Sequence, residues 1–169
     1  MKTRCKLFRN GKESVNKYFR KAGMEIGSDC NICSSIMTSE PYLISIGNDV
    51  TISGNVIFVT HDNSVAKIFR KGNDLYGKIH IGDGCFIGQN STITYGVSLS
   101  KNVIVTAGSV VTKSINQENV IVAGNPAKII KTVEDFSSKV KDNVICMSGF
   151  SEKDKKRKVF AEEKKWISK

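Results

Sequence analysis

Aliphatic residues recur at every sixth position through the middle of the chain. The unbroken run comprises Ile81, Ile87, Ile93, Leu99, Val105 and Val111. This spacing matches neither the roughly 3.6-residue period of an α-helix nor the roughly two-residue period of a single long strand. It is explained by one short strand and one turn in each unit, with the aliphatic side chain directed inward and polar side chains facing water. The pattern therefore predicts the stacked coils of a parallel β-helix.

A second row of mostly small or β-branched side chains keeps the same period. It comprises Cys85, Ser91, Val97, Val103, Ser109 and Ile115, each four positions after an aliphatic residue. The position directly after each aliphatic residue is also small, beginning with Gly82 and Gly88. Small residues fit the corners between short strands. We therefore expect triangular coils, each built from three such units and about 18 residues long.

The same register extends toward the N-terminus with two interruptions. Runs begin at Ile26 and at Ile46, which are 20 residues apart, and Ile46 lies 35 residues before Ile81. The second interval exceeds one coil by about 17 residues, so we expect an excursion loop within residues 61–78. Long loops on regular scaffolds tend to be functional, the alternative being a solvated insertion without a role.

The repeat divides the chain into three parts. Residues 1–25 are a basic N-terminal segment, residues 26–131 are the predicted β-helix, and residues 132–169 are a basic C-terminal extension. The stretch 14–22 is predicted to form a short helix. A second short helix is predicted from Ser151, whose side chain can cap its N-terminus. The predicted fold class is therefore all-β with short flanking helices.

Positive charge is concentrated at the two ends of the chain, whose formal net charge is +10. Residues 1–21 hold eight Lys or Arg and one acid, and residues 151–169 hold eight and four, whereas the residues between them are close to neutral. No basic motif is interleaved with aromatic residues, so we expect no nucleic-acid partner. The basic ends instead favour contact with an anionic membrane surface or a phosphate-bearing substrate.

The five cysteines predict buried thiols rather than a disulfide framework. Cys30 and Cys85 both occupy the inward fourth position of a six-residue unit. Cys33 lies three positions after Cys30, but no second pair has metal-ligand spacing, so we expect no metal. No apolar stretch is long enough to cross a membrane, and the first residues lack the apolar core of a signal peptide. With the free thiols, these features predict a cytoplasmic protein.

The two histidines lie in different surroundings. His61 stands where a coil ends and the excursion loop begins, whereas His80 lies between two isoleucines and points away from the core. Imidazole has a pKa near neutrality, so a histidine at the edge of a groove can remove a proton from a hydroxyl. We predict that His61 is a general base and that His80 is a surface residue. Asp62 and Asp74, both in the loop, are candidates for binding the acceptor.

The end of the repeat carries two motifs that resemble a known family. Residues 107–113 read Ala-Gly-Ser-Val-Val-Thr-Lys, and residues 123–128 read Ala-Gly-Asn-Pro-Ala-Lys. With the six-residue register and a histidine before the loop, they resemble the hexapeptide-repeat acyltransferases. The resemblance covers about residues 25–131 and is closest to sugar O-acetyltransferases of the maltose and galactoside type, including those of surface-polysaccharide pathways. The stretch from Glu40 to Gly47 also resembles the polysaccharide group.

This resemblance implies a left-handed parallel β-helix and a homotrimer, with acetyl-CoA in the groove between two prisms. His61 would remove a proton from an acceptor hydroxyl, so that the acetyl group passes to a sugar or surface-polysaccharide precursor. The positions that match cofactor-binding residues are Phe86, Gln89, Ala107, Thr112, Lys113, Lys128 and Lys131. Phe86 and Gln89 would line the pantetheine arm, and the Ala107 amide would donate to it. The last two lysines would meet the nucleotide phosphates, for which mobile positive charges are suited.

Other functions stay open from the sequence alone. An N-acyltransferase acting on an amino sugar nucleotide would need the same base, so His61 does not distinguish an amine from a hydroxyl acceptor. γ-Class carbonic anhydrases share the expected architecture but bind zinc through three histidines, and this chain has two. A β-helix that serves as a non-catalytic scaffold is a further alternative.

Overall fold

Short strands that turn at regular corners account for most of the chain. The computed structural model describes residues 12–33, 36–70 and 72–167. The strands are β1 (Glu25–Ile26), β2 (Asn31–Ile32), β3 (Ile44–Ile46), β4 (Thr51–Ile52), β5 (Ile57–Val59), β6 (His61–Asp62), β7 (Leu75–Tyr76), β8 (Ile79–Ile81), β9 (Phe86–Ile87), β10 (Thr92–Thr94), β11 (Ser98–Leu99), β12 (Ile104–Val105), β13 (Val110–Val111), β14 (Val120–Gly124) and β15 (Ala127–Thr132). The helices are α1 (Lys12–Lys21), α2 (Val133–Val140) and α3 (Glu152–Ala161).

Successive strands belong to different sheets, so the chain winds around a three-sided prism. Sheet A contains β1, β3, β8 and β11, sheet B contains β2, β4, β9, β12, β14 and β15, and sheet C contains β5, β10 and β13. Within these three sheets neighbouring strands are parallel, except for β14 and β15. Ile46 pairs with Ile26 on one side and with Ile81 on the other. This pairing confirms the predicted register and both of its interruptions.

The aliphatic rows form the core of the prism. All six residues of the central run are buried, as are Cys30 and Cys85 beside them. Burial raises the pKa of the Cys85 thiol to about 11, so this thiol is protonated at neutral pH and packs as a small apolar group. Ser91 is also buried and donates from Oγ to the carbonyl of Thr106 at 3.0 Å. The inward positions predicted from the sequence are therefore confirmed.

Residues with left-handed backbone conformation let the chain turn between sheets. The asparagines with positive φ, between 56° and 60°, are Asn55, Asn90, Asn102 and Asn119. Asparagine tolerates this conformation better than most residues. The Asn102 side-chain amide donates to Asn119 Oδ1 at 2.9 Å, which links the corners of two coils. Elsewhere the coils approach too closely for a side chain: a Cβ at Gly88 would lie 2.7 Å from the carbonyl carbon of Thr106.

Helix α1 packs against the N-terminal end of the prism, where the predicted helix over 14–22 is confirmed with slightly earlier bounds. Phe19 is buried in the core cluster. The Arg20 guanidinium donates from Nε to the carbonyl of Ile26 at 2.9 Å and from Nη2 to that of Gly27 at 2.7 Å. These bonds satisfy backbone carbonyls at the end of the coil. Residues 1–11 of the predicted basic segment lie outside the described residues.

The chain divides into two compact units that meet in sequence between Thr132 and Val133. The first ends with the antiparallel hairpin β14–β15, which the six-residue pattern does not predict. The second contains α2 and α3. Ser151 caps α3 as predicted, since its Oγ accepts from the backbone N–H of Asp154 at 3.3 Å. Within the described residues, no helix has the length and apolar character needed to cross a membrane.

Candidate active site

The excursion from the prism begins at His61. Strand β6 pairs with β7 in antiparallel fashion, which sets His61 opposite Tyr76. Between the two strands the chain forms a 3₁₀ turn over Ser64–Lys67, and it re-enters the prism at β8. The predicted loop over 61–78 therefore contains a hairpin that holds His61 at the edge of the coil, with its side chain 31% exposed.

Glu40 reaches His61 from the preceding coil. The lengthened first coil turns its corner through a 3₁₀ turn, Pro41–Leu43, and Glu40 directly precedes this turn. Glu40 Oε2 accepts a hydrogen bond from His61 Nδ1 at 2.9 Å and another from Thr60 Oγ1 at 2.5 Å. The Glu40 side chain is only 14% exposed, and Thr60 is buried. The carboxylate therefore lies in a shielded position where both neighbours fix its orientation.

These contacts determine the protonation of the His61–Glu40 pair. The Thr60 hydroxyl, and then His61, hold the pKa of Glu40 below its ordinary value, so the carboxylate is ionised at neutral pH and can only accept. His61 Nδ1 must therefore donate. That hydrogen bond raises the pKa of His61 above its ordinary value, with further contributions from Asp74 and Asp62. In the neutral ring, Nε2 is left as the unprotonated nitrogen that can take a proton.

Asp62 holds the hairpin to the prism. One carboxylate oxygen accepts from the backbone N–H of Ser64 at 2.9 Å, and the other accepts from the Tyr95 hydroxyl at 3.2 Å. The bonds from Ser64, and then from Tyr95, hold the pKa of Asp62 below its ordinary value. Asp62, which the sequence predicts to bind the acceptor, therefore lies next to His61, but both of its carboxylate oxygens already accept hydrogen bonds.

Asp74 lies on the exposed side of the same hairpin. Its Oδ2 accepts from the Tyr76 hydroxyl at 3.3 Å. The Tyr76 ring is 57% exposed, and its centroid lies 5.8 Å from that of His61. The negative charge of Asp74 is the main cause that raises the pKa of Tyr76. A carboxylate and an aromatic ring are therefore presented together beside the imidazole.

A shallow depression adjoins His61 on the side of sheet C. It is lined by residues 36–39 and 57–61. The side chains of Met37 and Ile57 are exposed there, and the hydroxyl of Thr38 lies 3.3 Å from that of Thr60. The imidazole thus sits at the rim of a concave surface with apolar and hydroxyl groups.

Phe86 and the two last lysines lie on sheet B. Phe86 pairs with Ile104, which pairs with Ile121 on the next strand. Ile121 pairs with Lys131, so Phe86 and Lys131 stand in one row, three strand spacings or roughly 14 Å apart. Lys128 is exposed on the same strand as Lys131. The structure therefore brings these three predicted cofactor residues to one sheet.

Gln89 and Ala107 occupy the same corner on successive coils, between sheets B and C. The backbone N–H of Gly108 donates to the carbonyl of Gln89 at 2.8 Å, and both predicted residues are exposed. Their 18-residue separation equals one coil, as the register requires. Gln89 directly follows the strand that bears Phe86, and Ala107 lies at the equivalent position one coil further along the prism.

Thr112 and Lys113 lie at the other edge of sheet C. They follow β13, whose Val111 pairs with Ile93 on β10. Strand β10 also pairs with β5, the strand that leads to His61. Within one chain, sheet C therefore separates the edge with His61 and Lys113 from the corner with Gln89 and Ala107. The predicted site residues form two groups rather than one.

His80 is exposed on the outer face of sheet A, which confirms that it points away from the core. Its Nδ1 lies 2.9 Å from Ser45 Oγ. Across residues 12–33, 36–70 and 72–167, no group of three His, Cys, Asp or Glu side chains is arranged to hold a metal ion.

The partnership of Glu40 with His61 was missed from the sequence, although a signal was present. The first coil is 20 residues long, and Met37 pairs with Ile57 at that interval. The same interval sets residue 40 beside residue 60, directly before the predicted base. Tyr76 was missed because no periodic pattern determines how an excursion loop folds.

Comparison with known proteins gives consistent matches. The family described as "Hexapeptide repeat of succinyl-transferase" matches residues 78–113. The chain is 47% identical to Protein CapG of Staphylococcus aureus over 130 residues, which cover 73% of this chain and 74% of that protein. It is 31% identical to the galactoside O-acetyltransferase of Escherichia coli K12 over 115 residues, which cover 68% of this chain but only 56% of that enzyme.

Solved structures agree in fold. A maltose O-acetyltransferase from Clostridium difficile 630 superposes with a TM-score of 0.60 at 27% identity, covering 78% of this chain and 83% of that one. A galactoside acetyltransferase in complex with coenzyme A superposes with a TM-score of 0.56 at 25% identity, covering 75% and 73%.

Proposed function

The chain belongs to the hexapeptide-repeat acetyltransferase family, and on this premise we propose that it transfers the acetyl group of acetyl-CoA to a hydroxyl of a sugar or surface-polysaccharide precursor. The observation that carries the proposal is the His61–Glu40 pair at the rim of the depression, with Nε2 of His61 available as a base. Relatives named as galactoside and maltose O-acetyltransferases support an oxygen acceptor.

The reaction requires His61 to take up one proton and then to release it. Nε2 takes the proton of the acceptor hydroxyl as its oxygen attacks the thioester carbonyl of acetyl-CoA. The C–S bond breaks, the acetyl ester forms, and the proton passes to the departing thiolate to give free CoA. Glu40 keeps Nδ1 protonated and stabilises the imidazolium that forms in between. Such base assistance typically accelerates a reaction by about 10²- to 10⁴-fold.

Acetyl-CoA is bound by the two groups of residues on either side of sheet C. Phe86 and Gln89 line the pantetheine arm, and the Ala107 amide donates to it. Lys128 and Lys131 meet the phosphates. Four of these residues are exposed and Lys131 is partly buried, which supports these roles. A related galactoside acetyltransferase was solved in complex with coenzyme A.

The active unit is a homotrimer of left-handed coils, with the cofactor in the groove between two prisms. Within one chain, sheet C separates His61 from the corner with Gln89 and Ala107. This separation supports the trimer, because in a groove between two prisms the neighbouring protomer can supply the residues that lie on the far side of sheet C. Thr112 and Lys113 then extend the groove along the edge that bears His61. The enzyme acts in the cytoplasm, where free thiols such as that of Cys85 stay reduced.

The acceptor binds on the open side of the hairpin. The exposed Tyr76 ring can stack on the apolar face of a sugar, and Asp74 can accept hydrogen bonds from its hydroxyls. Asp62 helps to form the acceptor site because it lies next to His61 and anchors the hairpin to the prism. The apolar and hydroxyl groups of the depression complete a surface suited to a polar ring.

Product identity tests this function. The purified full chain is incubated with acetyl-CoA and a panel of nucleotide sugars and oligosaccharides, and products are read by mass and by release of free CoA thiol. We expect a mass gain of one acetyl group that mild base removes, as an ester requires. A base-stable product would indicate an amide and an amino-sugar acceptor instead. Failure to bind acetyl-CoA at all would contradict the proposal.

A further inference from the structure

The C-terminal unit, residues 133–169, carries large apolar side chains that it does not bury. The exposed ones are Phe136, Val144, Phe150, Phe160, Trp166 and Ile167. No apolar side chain is buried in the part of this unit that the structure describes, residues 133–167. These side chains therefore lack the core that would explain their presence in so polar a segment.

Three of these residues form an ordered apolar end to the unit: Phe160, Trp166 and Ile167. The rings of Phe160 and Trp166 meet edge to face with centroids 5.6 Å apart. Trp166 Nε1 donates to the carbonyl of Val159 at 3.1 Å, which fixes the indole against the last turn of α3. The side chains are 58%, 43% and 59% exposed. The apolar end is thus held in place yet open to its surroundings.

Positive charge lies directly beside the apolar end. Helix α3 carries five bases, Lys153, Lys155, Lys156, Arg157 and Lys158. The nearby carboxylate of Glu162 forms ion pairs with the ammonium groups of Lys158, at 2.8 Å, and Lys165, at 3.2 Å. The Lys158 ammonium also lies 5.8 Å from the Phe150 ring centroid. Basic and aromatic groups therefore share one short helix and the turn that follows it.

We propose that this unit docks on an anionic lipid bilayer, with the exposed bases Lys153, Lys156 and Arg157 of α3 at the headgroup phosphates and the apolar end in the interfacial layer. Tryptophan and phenylalanine prefer this layer, and lysine and arginine are attracted to anionic headgroups. Single-stranded nucleic acid is bound by aromatic side chains that stack on bases, whereas the apolar end also exposes the aliphatic Ile167, which cannot stack but can enter the interfacial layer. The docking is independent of acyl transfer.

Vesicle co-sedimentation of the full chain tests the docking. Vesicles of equal parts phosphatidylglycerol and phosphatidylcholine are compared with vesicles of phosphatidylcholine alone. The variants are Phe160→Ala/Trp166→Ala, which removes two rings, and Lys156→Glu/Arg157→Glu, which reverses two exposed charges on α3. Lys21→Glu/Lys101→Glu is the matched control, because it changes the net charge equally at exposed positions of the other unit. Circular dichroism and acetyl-CoA turnover verify that each variant is folded.

We expect the wild type to sediment with the anionic vesicles only. Each α3 or apolar-end variant loses about tenfold or more in partitioning, the scale expected from losing buried rings or headgroup contacts, and the control stays near wild type. The proposal is overturned if the wild type does not sediment, if the control loses as much, or if the ring variant binds fully. Preferential binding to a single-stranded oligonucleotide also overturns it. Absence of acetyl transfer would leave the sedimentation result unaffected.

Discussion

His61 Nδ1 lies 2.9 Å from Glu40 Oε2, although the two residues belong to successive coils and are 21 positions apart in sequence. The contact depends on two departures from the six-residue register. The lengthened first coil places Glu40 at a corner, and the excursion hairpin starts at His61. The reactive nitrogen is therefore oriented by the same irregularities that expose it.

Replacing Glu40 by glutamine is expected to lower kcat by about 10- to 100-fold, the scale seen when a group that orients a histidine is lost. It should also shift the pH profile. The carboxylate is the main cause of the raised pKa of His61, so its loss lowers that pKa and moves the acidic limb of kcat/KM to lower pH. A pH–rate series measures both effects, with Glu25→Gln, an exposed carboxylate on sheet A, as control. If the acidic limb does not shift in the Glu40→Gln variant, Glu40 does not control the pKa of His61.

Thr60→Val is expected to destabilise the fold by about 1–2 kcal/mol at neutral pH, because a buried hydroxyl no longer donates to an ionised carboxylate. The pKa of Glu40 is lowered in the folded protein, so the stability it provides is present above the ordinary carboxyl pKa and disappears as pH falls through the folded value. The difference from wild type should therefore shrink in acid.

Urea unfolding at several pH values measures this effect. Thr94→Val is the matched control, because its hydroxyl donates to the neutral carbonyl of Val111 at 3.2 Å. Its destabilisation should not depend on pH. A pH-independent difference for Thr60→Val would mean that the hydroxyl does not act through Glu40.

Removing the lysines of β15 is expected to weaken cofactor binding without changing the chemical step. The double variant Lys128→Ala/Lys131→Ala should raise KM for acetyl-CoA by about tenfold or more, since charge-assisted contacts to phosphate are lost, and leave kcat nearly unchanged. Steady-state kinetics measure the split. Lys101→Ala, at a corner next to sheet A, serves as control. An unchanged KM would exclude the phosphate role.

A groove between protomers predicts complementation between two inactive variants. His61→Ala and Lys128→Glu/Lys131→Glu are each expected to be nearly inactive at low acetyl-CoA. In randomly mixed trimers made by co-expression, a site is intact where a protomer with native His61 meets a neighbour with native lysines, which gives about a quarter of wild-type activity. Mixtures that stay inactive would mean that one chain contributes both groups.

Much of the fold could be predicted because every coil requires the same kinds of side chain at the same positions. An aliphatic side chain must point inward every six residues, so the 35-residue interval from Ile46 to Ile81 already locates the excursion, and His61 follows from its position at that break. The contact with Glu40 was not predicted, because a 3₁₀ corner decides where that side chain points. The β14–β15 hairpin was missed for a similar reason, since it ends the repeat and pairs in the opposite direction.

The central claim is that His61 removes the proton of the acceptor. The most direct measurement is kcat for acetyl transfer by His61→Ala beside His80→Ala, with acetyl-CoA binding measured for both. His80 is an exposed control of the same residue type, and its partner Ser45 lies beside it on sheet A. We predict a loss of about 100-fold or more for His61→Ala at unchanged acetyl-CoA affinity, and a change within about twofold for His80→Ala. Near-wild-type turnover by His61→Ala would contradict the account.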